Sequence, residues 1–355
     1  MKWRGIFLLI GLAFLAAAPL LVALEHQLAS LNTPIIWHEF DNALLEMKII
    51  NASSGRELLG AYSRFQWNHP GPSYFYALVP IYLLAGKSAT SLQLGVVIIH
   101  LVVILSLFGV LWSVYRKGEW CVLFCAIALV GVYLRRVPLA SIWNADVLAL
   151  PFILLSFLCA AISVGYIKVL PAMLLIGSFL TQTHLGVAPC VLALIFASLV
   201  IYSIAGVRKA VGLDLKSRAN PWIWVGLSVL TLLAMWIPPI IEQFSNNPGN
   251  LTKIIRFWGV AEEKHSFLEA LQVLSTEISW FSMLLPEVWG KGLAKAHLRV
   301  IAVAIALLQI VLLAFTYRLN IRQRQYFSAS LCLLGGVAFC VALVSIMHIR
   351  GPIYG

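Results

Sequence analysis

Three kinds of side chain in this sequence could act on a polar substrate: carboxylates, guanidinium groups and imidazoles. Asp41 and Glu46 follow soon after a long apolar run. A carboxylate held within hydrogen-bond reach of a sugar hydroxyl can take its proton; the same two acids also read as solvated loop charges. Asp146 ends the stretch Ser141-Ile142-Trp143-Asn144-Ala145-Asp146 at the entrance of another apolar run. An ionised acid costs ~2.5–3.5 kcal/mol toward a bilayer centre and less near the interface. Asp146 is thus a site member, a first-turn acid favoured by the helix dipole, or both. The adjacent pair Arg135-Arg136 offers forked donors to phosphate oxygens, or snorkels into headgroups. His184 closes Thr181-Gln182-Thr183-His184 between two apolar segments, as a phosphate or hydroxyl partner or as a satisfied buried histidine. His38, Glu39 and Asp41 could together hold a divalent ion, and Lys253 and Arg256 read as solvated loop charges or could reach anionic groups. No Gly-rich phosphate loop, cysteine metal set or nucleophile elbow occurs.

The chain that must position these groups is not water-soluble. Of its 355 residues 61% are apolar and 11% charged, with mean hydropathy +0.92, against about 45–50% and about 25% in a soluble domain. Apolar runs near the length of a bilayer core predict about nine transmembrane helices: one from the N-terminus to Leu24, then 88–115, 119–134, 146–165, 169–183, 185–204, 221–241, 298–317 and 326–347. The fold class is all-α, a polytopic membrane protein of the plasma membrane. With the N-terminus in the cytoplasm, alternation gives the inner segments a charge of +10 out of a total of +11. This is the positive-inside pattern, so the basic balance is a topology signal and gives no reason to expect nucleic acid as a partner. Segment 72–86 has about 15 residues and an aromatic start, and is expected as an interfacial helix. The segments 25–87 and 242–297 then face outward. In the second, Phe267, Leu271, Leu274, Ile278, Phe281 and Leu285 recur at helical spacing, which predicts a surface-lying helix. Six cysteines lie inside apolar runs and read as small core residues.

The order of these features resembles a known family. A first span with a basic end precedes Asp41-Asn42-Ala43-Leu44-Leu45-Glu46, then Tyr62-Ser63-Arg64, then Asn68-His69-Pro70-Gly71-Pro72-Ser73-Tyr74-Phe75-Tyr76, and later Asp146 at a span entrance. This is similar to the GT-C superfamily of polyprenyl-phosphate-sugar glycosyltransferases, which includes protein O-mannosyltransferases and lipid A aminoarabinose transferases. The likeness covers about residues 1–205, and is strongest to a bacterial branch with an Asp-x-Ala-x-x-Glu motif. It implies a catalytic membrane module at 1–205 and additional helices at 206–355. It further implies inverting transfer of a sugar from a polyprenyl-phosphate carrier to a cell-envelope glycan, lipid or protein acceptor at the outer face. Asp41 would serve as base, with Asp146 and Glu46 as further catalytic acids. Arg64, His69, Tyr74, Arg135, Arg136 and His184 would bind substrate; no cofactor is certain, and a divalent cation could be held only by the cluster named above. His184 departs from the family, where lysine is usual. The chain also stops at Gly355 short of the family's further C-terminal portion, so a C-terminal truncation is expected. The rival readings are a transporter or flippase of an anionic, polyprenyl-linked substrate, and a non-catalytic lipid-binding partner.

Overall fold

Inside a bilayer every backbone polar group must be satisfied within the segment, which leaves helices as the solution for long apolar runs. The computed structural model describes residues 2–31, 40–134, 137–204, 221–259, 265–278 and 296–349. Thirteen helices are described: α1 (Lys2–Ala29), α2 (Phe40–Ser53), α3 (Ser73–Leu84), α4 (Ala89–Tyr115), α5 (Gly118–Leu134), α6 (Ala149–Ser163), α7 (Leu170–Thr183), α8 (Ala188–Ser203), α9 (Pro221–Ser245), α10 (Asn250–Gly259), α11 (Phe267–Ile278), α12 (Ala296–Arg322) and α13 (Tyr326–Met347). Short 3-10 turns at Asp146–Leu148, Ile167–Val169 and Leu185–Val187 lead into α6, α7 and α8. One two-stranded antiparallel hairpin, β1 (Tyr62–Ser63) with β2 (Trp67–Asn68), interrupts the helices.

Every run expected to cross the membrane is a helix, but seven of the described helices are long and apolar enough to do so by themselves. The exceptions among the nine expected spans are Gly118–Leu134 and Ile167–Thr183. At about 1.5 Å per residue both fall short of a core roughly 30 Å thick. Segment 72–86 forms the short helix α3, which turns through 85–88 and folds back along α4. The turn is set by Ser88, whose Oγ accepts from the Ser91 N–H at 3.2 Å while its own N–H donates to Ser91 Oγ at 3.0 Å. This reciprocal cap satisfies donors that a helix start leaves open.

The chain divides into two compact units. The first comprises Met1–Leu158, Ile167–Ala188 and Asn220–Ile254; the second comprises Cys159–Tyr166, Pro189–Ala219 and Ile255–Gly355. In the second unit α11 packs on α12 and α13, burying Ala270 and Leu274 and leaving Phe267 and Leu268 exposed. Its predicted continuation to Leu285 lies outside the described residues. In the first unit α1 packs on α4 and α5, and Leu20, Leu78, Ile104 and Leu111 are fully buried.

Helices α7 and α9 of the first unit run parallel. The Ile167–Val169 turn packs on α9, Trp236 Nε1–H donates to Ser178 Oγ at 3.0 Å, and Gln182 Nε2–H donates to the Met235 carbonyl at 2.7 Å. Because α7 ends at Thr183 while α9 continues to Ser245, a step of about 15 Å follows from the helical rise. The loop 54–72, including the hairpin, is fastened across this step.

Candidate functional site

Residues from four separate stretches meet where α7 ends. The loop contributes His69, whose backbone pairs with its own strand neighbours: Gly60 N–H donates to the His69 carbonyl at 2.9 Å and His69 N–H to the Ala61 carbonyl at 2.8 Å. Its ring lies against that of His184, with centroids 4.4 Å apart and planes tilted by 36°. His184 is the residue that ends α7 with extended backbone. Close approach is possible because of two glycines. A Cβ on Gly60 would stand 2.8 Å from the Gln182 carbonyl oxygen and 2.9 Å from that of Gly71, and one on Gly71 would collide with the Gln182 side chain. That side chain is fully buried, and its Oε1 accepts from Ser73 N–H at 3.3 Å.

Both imidazoles are held in one tautomer. His69 Nδ1 accepts from Leu185 N–H at 3.1 Å, and His184 Nδ1 accepts from Gly186 N–H at 3.2 Å. A ring nitrogen that accepts cannot carry a proton, so in each neutral ring Nε2 bears the hydrogen. Among the described residues neither Nε2 has a protein partner. Burial, and then the neighbouring His184, push the pKa of His69 down to about 3, and burial lowers that of His184. The pair therefore presents two neutral N–H donors.

Asp146 belongs to the segment 137–147, which is tied to Tyr74 and to the end of α7. Tyr74 donates its hydroxyl to the Ile142 carbonyl at 2.8 Å, and Asn144 Nδ2–H donates to the Thr183 carbonyl at 2.9 Å. His100 of α4, 1% exposed, bonds through Nδ1 to the Leu139 carbonyl at 3.0 Å. Asp146 is half-buried and close enough to Tyr74 that its charge, after burial itself, holds the phenol protonated above its usual range.

The remaining sequence candidates lie elsewhere. Helix α2 runs antiparallel to α3: Tyr82 reaches Glu46 Oε1 at 3.5 Å, while Tyr76 donates to the Glu57 carbonyl at 3.0 Å. Glu46 therefore sits at the end of α3 away from Tyr74 and the histidines. Asp41, exposed in the first turn of α2, lies more than a helical turn further on. Arg64 is exposed at the hairpin tip, its guanidinium 5.1 Å from the Phe65 ring centroid. Arg135, Arg136, His38 and Glu39 lie outside the described residues. No group of three or more metal-ligating side chains occurs among the described residues.

Sequence reading missed three contributors. His100 is a lone polar residue in an apolar run, a signal that could have been weighed. Asn250, 2% exposed, pairs with Asn68 as a strand edge would: Oδ1 accepts from Asn68 N–H and Nδ2–H donates to the Asn68 carbonyl, both at 2.8 Å. Glu242, 7% exposed, accepts from Asn250 N–H at 2.9 Å and from Asn246 Nδ2–H at 3.3 Å. No signal in sequence connects residues so far apart. No protein-family model, curated protein or solved structure matches this chain.

Proposed function

We propose that the chain is a membrane glycosyltransferase that moves a sugar from a polyprenyl-phosphate carrier to an acceptor hydroxyl at the outward face, inverting the anomeric carbon. The observation that carries the reading is the pairing of His69 with His184, ring centroids 4.4 Å apart, at the end of α7 to which Asn144, two residues before Asp146, is bonded. It brings the His-Pro-Gly-Pro segment of the family-like order to the break after α7. Asp146 takes the acceptor proton as the hydroxyl oxygen attacks the anomeric carbon. The bond from that carbon to the phosphate oxygen breaks, and the lipid phosphate leaves with the electron pair. The Nε2–H donors of His69 and His184 meet the negative charge that grows on the departing oxygen, where preorganised donors matter most. Phosphate leaves readily, so no strong acid is needed. Asp41, the base implied by the family resemblance, lies at the other end of α3 and competes with Asp146 for the assignment.

The test is transfer from a radiolabelled polyprenyl-phosphate sugar by the full chain in proteoliposomes. Asp146→Asn is expected to abolish transfer, and His69→Ala or His184→Ala to lower it about 10²-fold, the usual loss for one oxyanion donor. Loss in Asp41→Asn with full activity in Asp146→Asn would move the base to the α2 end. Movement of labelled lipid across the bilayer without transfer would favour the flippase reading instead.

A further inference from the structure

Helix α10 (Asn250–Gly259) has three unlike faces. At about 100° per residue, Asn250 and Ile254 fall within about 40° of each other, and they are 2% and 6% exposed. They anchor the helix to the protein, Asn250 through Asn68 and Glu242. Leu251 and Ile255 lie together about 100–140° round from Asn250, yet are 54% and 62% exposed. Lys253 and Arg256 occupy the remaining sector, about 240–300° round. Both are exposed, and neither makes an ion pair among the described residues. No acid occurs between Asn250 and Gly259. Just before the helix, at the end of the apolar α9, Phe244 is 86% exposed.

We infer that α10 lies in the membrane–water interface and binds an anionic phospholipid, with Leu251 and Ile255 in the acyl region and Lys253 and Arg256 on the headgroup phosphate. A helix at the end of a membrane-length element, with an apolar flank and a separate basic flank, matches what an anionic interface offers: hydrocarbon on one side, negative charge on the other. The exposed Leu251 and Ile255 then need no protein cover, because lipid supplies it. The inference does not depend on the reaction assigned above. It does add a coupling, since Asn250, the first residue of the lipid-bound helix, also clasps Asn68, the residue before His69.

The experiment titrates the full chain in detergent micelles with phosphatidylglycerol, phosphatidylcholine or inorganic phosphate, and follows the thermal midpoint to obtain apparent affinity. Phosphatidylglycerol is expected to bind more tightly than phosphatidylcholine, and Lys253→Gln/Arg256→Gln to lose about 30-fold in that affinity, the sum for two basic residues near an anionic surface. Both substituted side chains are exposed and make no ion pair among the described residues, so the variant keeps the fold. Leu251→Ser/Ile255→Ser is expected to weaken binding of both lipids. Equal affinity for the two lipids, an unchanged affinity in the charge variant, or a full response to inorganic phosphate would each overturn the inference. None of these outcomes bears on sugar transfer.

Discussion

An imidazole that accepts a backbone N–H through Nδ1 loses that bond when it is protonated, because both nitrogens of the cation are donors. His69 is in this position toward Leu185, and its depressed pKa of about 3 makes a prediction about acid. The unfolded chain binds a proton on this ring near 6.5 and the folded chain does not, so stability rises with pH across the interval. The contribution is complete above about pH 6.5 and is lost progressively as pH falls toward about 3, amounting to about 2 kcal/mol at pH 5. The wild-type thermal midpoint should therefore fall between pH 7.5 and pH 5. His69→Asn, whose Oδ1 can take over the acceptance from Leu185, should show a flatter profile; parallel profiles would remove His69 as the acid-sensitive group. At this scale the sequence was partly legible. Asp146 and His184 announced themselves as polar side chains at the ends of apolar runs, where burial needs a reason, whereas His69 and Tyr74 were named only through the family-like motif order. Its place at the entrance of an apolar run set Asp146 apart from Asp41, but that Asp146 stands near Tyr74 while Asp41 lies at the other end of α3 was not legible, because it depends on how α2 lies along α3.

Helices and loops were legible to different degrees because different forces define them. Apolar runs must be helical in lipid whatever their neighbours, so the helices of the nine expected runs could be located from composition, seven of them long and apolar enough to cross by themselves. The capping pair Ser266 and Glu269, with Glu269 N–H donating to Ser266 Oγ at 3.2 Å and Ser266 N–H to Glu269 Oε2 at 2.9 Å, went unread although it has the Ser-x-x-Glu form. The loop 54–72 had no such periodicity. It is ordered by bonds to distant elements, Asn68 to Asn250 and His69 to Leu185, and by the bond of Ser73, the first residue after it, to Gln182. Its stability is correspondingly borrowed, and the clasp can be tested without any substrate. Asn250→Asp keeps an acceptor for Asn68 N–H but replaces the donor to the Asn68 carbonyl with a second oxygen, next to the buried Glu242. Leaving buried polar groups unpaired costs about 1–3 kcal/mol each, so backbone amides of 67–72 should exchange hydrogen at least about tenfold faster than in the wild type. The amides of α4, which owe nothing to Asn250, should be unchanged. Uniform acceleration across the first unit would mean that the clasp supports the whole unit rather than the loop.

For the molecule as a whole, charge and helix length bear on the same question of which ends face which side. The short α5 and α7 could be stubs that enter the bilayer and return, in which case alternation would fail after Tyr115. Two observations argue for crossing. Only a few residues join α4 to α5, and only a few join α6 to the turn before α7, with Arg116 and Lys117 in the first link and Lys168 in the turn itself. Basic residues at tight connections are retained on the cytoplasmic side. The parallel course of α7 and α9 then carries Ser245 to the face opposite Lys168, the face that also holds the 85–88 turn at the start of α4. Single cysteines in place of Lys87, Lys117 or Ser245, all exposed, in a background lacking the native cysteines, convert this into a measurement. A membrane-impermeant maleimide should label Cys at 87 and 245 in intact cells, and Cys at 117 only after permeabilisation. Labelling of 87 and 117 from the same side would make α4 a re-entrant element. Labelling of 117 alone in intact cells would invert the molecule, putting His69, Asp146 and His184 on the cytoplasmic side and excluding an acceptor at the outer face.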